Sequence, residues 1–287
     1  INAVGVCAEI SAPQLQELWG ELTPDAVYKL RLRLWDFLRL ASRAAARGSI
    51  VDPALQFLIE NRSLLSTDPL EKTLERILSA YWIQFIQSSV RCAIAVTNVT
   101  HGTKELYYKI PIGATLEDSA QIGWMNGAWR RIHSQSMLEQ VLMGSAALPI
   151  LFPPYAGYFD GGLLLNQPIS PAIALGGMNL YVVIPSALTL GRADNLLLTT
   201  STVLTTWLSA SLLSQIENVR LRNKIRSLTG QQKIRICVIR PPADITAITG
   251  VSLLSFGKKV DELVAMGKDA ANFRLNTYDE SDEITWY

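Results

Sequence analysis

Asp160 is the carboxylate of this sequence whose surroundings best suit catalysis. It follows Tyr158-Phe159 and precedes the glycines Gly161 and Gly162. An aspartate with an ordinary pKa near ~4 is a weak base toward a serine hydroxyl, and burial against apolar side chains raises that pKa. Apolar residues stand on both sides of Asp160 in the sequence: Phe152, Tyr155, Tyr158, Phe159 and Leu163. We therefore predict that Asp160 is a general base with a raised pKa.

The Asp-Gly pair by itself is also typical of a tight turn, because glycine readily adopts a positive φ. The wider segment, 144–176, is more specific. In order, it carries a run of small residues, Pro-x-x-Phe-Pro-Pro, Asp-Gly-Gly and Asn-Gln-Pro. A helix start is predicted directly afterwards, at Ser170-Pro171. This ordered set favours a functional interpretation of Asp160 over a simple turn.

Other catalytic groups are scarce in the chain. His101 lies in a predicted turn and His133 follows two arginines on a predicted surface segment, so each is expected to be a solvated or capping residue. The sequence contains no Gly-x-Ser-x-Gly segment. It also has no cluster with the spacing of metal ligands, and we predict a reaction without metal or cofactor.

Composition narrows the class of protein. The 287 residues carry a formal net charge of +1, which argues against nucleic-acid binding, while an apolar content of 49% leaves room for a lipid-contacting face. Cys7, Cys92 and Cys237 stand among apolar residues and are predicted to be buried thiols in a reducing compartment. The apolar stretch 196–213 is interrupted by Thr and Ser, so no transmembrane span is predicted.

Helices and strands are predicted to alternate along the chain, as in an α/β protein. The predicted helices cover residues 1–9, 25–46, 69–77, 134–144 and 195–227, and the predicted strands cover 90–99, 106–112, 181–184 and 234–239. The helix over 25–46 is rich in Lys and Arg, which favours either a solvated basic face or contact with anionic lipid headgroups. The stretch 196–213 is expected to pack in the core, to cover an acyl-binding cleft or to mediate oligomer contacts.

The segment 144–176 resembles the corresponding segment of the patatin-like phospholipase family. Two further segments share this resemblance: Ser66-Thr67-Asp68-Pro69-Leu70 is similar to the family's D-x-x-P-L, and 93–103 is similar to its strand ending in T-N-x-x-x-G. Ile1-Asn2-Ala3 is similar to the residues that follow the family's nucleophile elbow. The resemblance extends over most of residues 1–275.

This resemblance implies a three-layer α/β/α sandwich around a central, mainly parallel sheet, with one domain over 1–275 and a loosely held polar tail over 276–287. It implies a lipid acyl hydrolase that cleaves carboxylic esters of phospholipids or glycerolipids through a Ser-Asp dyad. Asp160 is the base of that dyad and Gly161 and Gly162 complete its motif. The nucleophilic serine is expected about four residues ahead of Ile1, and the glycines that bind the oxyanion are expected earlier still.

The implied protein is cytoplasmic, touches membranes peripherally, needs no cofactor and binds no nucleic acid. Its assembly into a homo-oligomer is left open. Two other functions also fit these residues: a non-catalytic lipid-binding or scaffolding protein, and a phospholipase effector that a small ligand or assembly switches on. The residues encoded ahead of Ile1 would separate the first of these from an enzyme.

Overall fold

A computed structural model of the chain describes residues 2–30, 63, 65–114, 128–149, 151–165, 167–184, 196–240, 260–277 and 284–285. The chain divides into two compact units. The first unit comprises Ile1–Ala114 and Gly127–Leu164, and the second comprises Thr115–Asn126 and Leu165–Tyr287. Both units combine helices with a sheet, which confirms the predicted mixed α/β class.

The first unit contains five helices and six strands among its described residues. Its elements in chain order are α1 (Asn2–Cys7), α2 (Ala12–Gly20), α3 (Pro24–Val27), β1 (Lys29–Leu30), β2 (Leu65–Ser66), α4 (Asp68–Gln87), β3 (Cys92–Asn98), β4 (Thr103–Lys109), β5 (Ala128–Arg131), α5 (Gln135–Ser145) and β6 (Tyr158–Asp160). The short helix α6 (Gly162–Leu165) follows β6 at the boundary of the two units.

The main sheet of the first unit has the strand order β5-β4-β3-β6. Strand β3 is antiparallel to both neighbours, β4 and β6, whereas β4 and β5 are parallel. The predicted strands over 90–99 and 106–112 thus form an antiparallel hairpin, and β4 begins earlier than expected because Gly102, at a φ of +62°, makes the turn between them. This sheet is mixed, and the described strands show a parallel pair in it only at β4–β5.

One face of this sheet carries the core of the first unit. Alternate residues of β3, Cys92, Ile94 and Val96, point to that face, as a strand with period two requires. Helices α1, α4 and α5 pack there and contribute Val4, Leu74, Leu78, Phe85, Leu138 and Val141. Helix α4 begins at Asp68, one residue earlier than predicted, with Thr67 as its N-cap and Pro69 in its first turn.

The prediction of one helix over 25–46 is confirmed at residues 25–27 and wrong at residues 28–30. Helix α3 ends at Val27, and Tyr28 is extended with φ −149° and ψ 161° before Lys29–Leu30 pairs with Leu65–Ser66 as a strand. Tyr28 is buried in a small cluster with Leu65 and Phe152, and its ring lies 6.4 Å from that of Phe152. This tertiary packing outweighs the helical periodicity. The remainder of 25–46 lies outside the described residues.

The second unit contains α7 (Ile169–Ala174), β7 (Asn179–Val183), α8 (Leu196–Leu228), β8 (Arg235–Ile239), α9 (Val260–Thr277) and β9 (Ile284–Thr285). Its sheet has the order β7-β8-β9, and both pairings are parallel. The core of this unit joins α7, α8 and the sheet through Ile169, Ile173, Ile216, Val219, Ile236 and Val238.

The predicted helices over 1–9, 69–77, 134–144 and 195–227 and the predicted strands over 90–99, 181–184 and 234–239 are all present, with shifted ends. Within the predicted polar tail, Ile284–Thr285 forms β9 and pairs with β8. None of the helices in the described part of the chain is long and apolar enough to cross a membrane.

Candidate functional site

Asp160 is the last residue of β6, and its backbone is fixed from two directions. It lies opposite Val96 of β3, and the neighbouring Thr97 hydroxyl donates to the Asp160 carbonyl oxygen at 2.9 Å. The Asp160 amide donates to the carbonyl oxygen of Ala147, which follows α5, at 3.0 Å. Three segments of the predicted motif set, the small residues, the Thr-Asn strand and Asp-Gly-Gly, therefore meet at this residue.

The side chain of Asp160 is held by the start of the next helix. The Gly162 amide donates to Oδ1 at 2.6 Å, and no described residue donates to Oδ2. Burial raises the pKa of the Asp160 carboxyl, and the hydrogen bond from Gly162, which favours the carboxylate, offsets part of that rise. The predicted direction of the pKa shift is thus confirmed. The arrangement fixes one oxygen and leaves the other for a proton transfer.

Gly161 is required for space and not for a positive φ. A Cβ at this position would lie 2.2 Å from the carbonyl oxygen of Ala95 and 2.5 Å from its carbonyl carbon. Strand β3 therefore passes directly against the Gly161 backbone. The turn interpretation of Asp-Gly does not account for this residue, since Gly161 is not among the glycines with a positive φ.

A tight turn does occur just before β6. Tyr155 and Tyr158 exchange two backbone hydrogen bonds of 2.9 Å, and the residues between them, Ala156 and Gly157, have φ values of +50° and +82°. Two consecutive residues with positive φ are typical of a type I′ hairpin turn. This turn sends the chain back along β3 and so places Asp160 beside Val96.

The aromatic residues around Asp160 do not form one wall. Phe152 and Phe159 belong to the small cluster with Tyr28, whereas Tyr155 and Tyr158 pack against the main core of the first unit. The Tyr155 hydroxyl donates to Glu71 Oε1 at 2.6 Å, and this bond, with burial, raises the pKa of Tyr155 to about 12. The consecutive residues Tyr158 and Phe159 of β6 thus pack in different clusters, as expected for side chains that alternate between the two faces of a strand.

A buried carboxylate that the sequence did not reveal lies near Asp160 in the same sheet. Glu105 accepts hydrogen bonds from Asn98 Nδ2 at 2.8 Å and Arg130 Nε at 2.9 Å, and from the hydroxyls of Tyr107 and Tyr158 at 3.3 Å each. Burial acts to raise the pKa of Glu105, but these donors outweigh it and the pKa is lowered. Because Glu105 is saturated with donors, its chemistry is structural and not that of a base.

The remaining titratable candidates lie elsewhere. His101 and His133 are both exposed, His101 in the turn after β3, as predicted. Asn98 Oδ1 accepts the Thr100 and His101 amides at 3.0 and 3.2 Å, so the Thr-Asn motif also shapes that turn. The hydrogen bonds described for Asp160 involve neither histidine.

All three cysteines are free and buried, as predicted. The structure brings two of them together, since the Cys7 and Cys92 thiols share a hydrogen bond, and this bond, with burial, raises the pKa of Cys92 well above its usual value. Lys109, only 1% exposed, lies close by and donates to the Ser88 and Val90 carbonyl oxygens, the latter at 2.9 Å. Because Cys7, Cys92 and Lys109 are far apart in the sequence, their proximity could not be predicted from it.

No group of three or more metal-ligating side chains occurs among the residues that the structure describes. In comparisons with known proteins, neither a family model nor a curated protein matches this chain. The assignment of a function therefore depends on the geometry around Asp160 and on the motif resemblance.

Proposed function

We propose that this protein is a lipid acyl hydrolase in which Asp160 activates a serine nucleophile. The observation that carries the proposal is a half-buried carboxylate whose pKa is raised by burial and whose Oδ1 accepts a hydrogen bond from the Gly162 amide. A raised pKa brings an aspartate closer to the range in which it can accept a proton from a hydroxyl. The motif order over 144–176 supports the same activity.

The proposed reaction has two steps. Asp160 Oδ2 accepts the proton of the serine hydroxyl as the serine attacks the ester carbonyl, and passes it to the departing alkoxide, which leaves as the alcohol and gives the acyl-enzyme. The ionised Asp160 then takes a proton from the water that attacks the acyl-enzyme, and passes it to the serine oxygen as the fatty acid is released. The Gly162 amide keeps the carboxylate from rotating between these steps. The patatin-like resemblance implies that the serine lies ahead of Ile1 and that the substrate is a phospholipid or glycerolipid.

The arrangement of the layers of the fold is part of the same proposal. A three-layer α/β/α arrangement with a mainly parallel sheet would place the serine and Asp160 on one domain over 1–275. The second unit supports it with a sheet whose pairings are all parallel. We propose accordingly that the protein is cytoplasmic, contacts the membrane peripherally and needs no cofactor.

The decisive experiment compares Asp160→Asn with the parent protein, both carrying the segment that precedes Ile1. Hydrolysis of a soluble short-chain ester and of phospholipid vesicles is measured, with Asp25→Asn as the matched control because Asp25 is exposed and remote in sequence. We expect Asp160→Asn to lower turnover by a factor of about 10² to 10⁴ while circular dichroism is unchanged. Turnover that survives in Asp160→Asn would refute the role of Asp160.

A parent protein that hydrolyses no ester but binds lipid would instead support the non-catalytic alternative. A phosphonate ester that labels activated serines separates the two cases. Labelling is expected in the parent protein and is expected to be much slower in Asp160→Asn.

A further inference from the structure

Helix α8 exposes an apolar stripe on its C-terminal half. Leu221, Ile225 and Leu228 are 56%, 55% and 88% exposed. Their spacing of four and then three residues places them on one face of the helix. Among the α8 side chains that the structure describes, from residue 210 onward, the buried ones are Leu212, Ile216, Val219 and Asn223. With about 100° of rotation per residue, the exposed stripe lies on the side of the helix opposite to this buried set.

The stripe is flanked by cations on both sides. Arg220 and Lys224 form one row and Arg222 and Arg226 form the other, because each pair is four residues apart and the two rows lie on either side of Leu221 and Ile225. The segment 217–235 contains six Lys and Arg residues and a single carboxylate, that of Glu217, which gives it a charge of +5 against +1 for the whole chain. Glu217 pairs with Arg220 on the surface.

We infer that this face of α8 docks on the surface of an anionic lipid bilayer. An apolar stripe flanked by Lys and Arg is the pattern of helices that lie in the membrane interface, with their leucines among the acyl chains and their cations among the headgroups. We name this set, Leu221, Ile225 and Leu228 with Arg220 and Lys224, the docking face. The inference rests on the proposed function and deepens it, because it names the surface that makes the peripheral membrane contact, and binding through this surface requires no catalytic residue.

The charge of the docking face favours an anionic bilayer over a second copy of the chain, and its apolar residues favour the bilayer over a nucleic acid. A second copy of the chain, packed through the same face, would bring two strongly basic segments together, and like charges in an interface are costly. A nucleic acid would satisfy the cations but would leave the leucines and isoleucine in water. An anionic bilayer satisfies both groups, since it offers negative charge at its surface and hydrocarbon beneath.

The test is cosedimentation of the protein with vesicles of phosphatidylcholine alone or of phosphatidylcholine mixed with phosphatidylglycerol. The variants are the triple substitution Leu221→Ser, Ile225→Ser and Leu228→Ser, and separately Lys224→Glu. The matched controls are Ile83→Ser and Lys72→Glu on α4, where Ile83 is 61% exposed and Lys72 is also exposed.

The protein is expected to bind the mixed vesicles at least tenfold more strongly than the neutral ones, and to lose that difference in high salt. The triple variant should bind the mixed vesicles at least tenfold more weakly than the parent, since three large apolar side chains leave the acyl region. Lys224→Glu should weaken binding about fivefold or more, because each cation near an anionic surface contributes about 1 kcal/mol. The two control variants should bind like the parent.

Three outcomes would overturn the inference: no binding to the mixed vesicles, equal binding to neutral vesicles, or unchanged binding by the triple variant. A concentration-dependent dimer that the same triple substitution abolishes would assign the face to self-association instead. Hydrolysis of a soluble ester reports on Asp160 independently, so a failure of vesicle binding and a failure of the catalytic proposal are distinguishable.

Discussion

Gly161→Ala should be among the most costly small substitutions in the first unit. The new methyl group would lie 2.2 Å from the Ala95 carbonyl oxygen and 2.7 Å from the Ala95 Cβ. Backbone atoms of β3 cannot rotate away as the end of a side chain can, so β3 and β6 must separate. Overpacking costs about 1 to 3 kcal/mol, and the loss of the Thr97 to Asp160 hydrogen bond adds about 1 kcal/mol. We expect a total of about 2 to 4 kcal/mol.

Urea unfolding measures this cost, and two other glycines calibrate it. At a denaturant slope of about 2 kcal/mol/M, the midpoint should fall by about 1 to 2 M. Gly5→Ala, whose Cβ would meet only the flexible end of Leu15 at 2.7 Å, should cost far less. Gly267→Ala should raise stability by about 0.5 to 1 kcal/mol, because Gly267 is an exposed helical residue with nothing within 4 Å. If Gly161→Ala unfolds at the same urea concentration as Gly267→Ala, the argument from close approach is wrong.

Three further substitutions test the charges in the first unit. Asp160→Asn should be more stable than the parent at neutral pH and equally stable in acid. Burial raises the pKa of Asp160, so the folded parent binds more protons than the unfolded chain. The free energy of unfolding of the parent therefore falls as pH rises through that pKa. Thermal melts over a pH series would show a constant difference if this is incorrect. Tyr155→Phe should lower the free energy of unfolding by about 1 kcal/mol because Glu71 loses a hydrogen-bond donor. The parent should lose stability as pH rises from about 10 to about 12, and the variant should not show this loss. Equal alkaline unfolding of variant and parent would contradict the raised pKa of Tyr155. Glu105→Gln should cost about 2 kcal/mol at neutral pH, where the ionised Glu105 has its full set of donors, and the cost should shrink as pH falls through the lowered pKa of Glu105. A urea midpoint for Glu105→Gln that matches the parent at neutral pH would show that the network is not stabilising.

The elements that the sequence predicted well are those whose own residues determine their environment. Strand β3 alternates Cys92, Ile94 and Val96 toward one core, and this period of two is visible in the sequence. Helix α5 is capped by Ser134, whose hydroxyl accepts a hydrogen bond from the Met137 amide at 3.2 Å, and this cap is also visible in the sequence. Local patterns of this kind need no knowledge of the partner segment.

The predictions that failed depended on contacts between distant segments. Tyr28 is not helical because it packs on Leu65 and Phe152. No local sequence pattern predicts this contact. The Glu105 network likewise joins residues of four strands, from Asn98 to Tyr158, so its donors could not be inferred from spacing. Asp160 itself was predictable because its neighbours in sequence, above all Gly162, are also its neighbours in space.

The pairing of β6 also bears on solubility. Among the described strands β6 is an edge of its sheet, and an edge strand with free amides is a template for pairing with another chain. The outward amides of Tyr158 and Asp160 are already bonded to the Tyr155 and Ala147 carbonyl oxygens. Strand β6 therefore lies at the edge of its sheet without offering these two amides to a neighbouring molecule. This arrangement protects the protein from edge-to-edge aggregation.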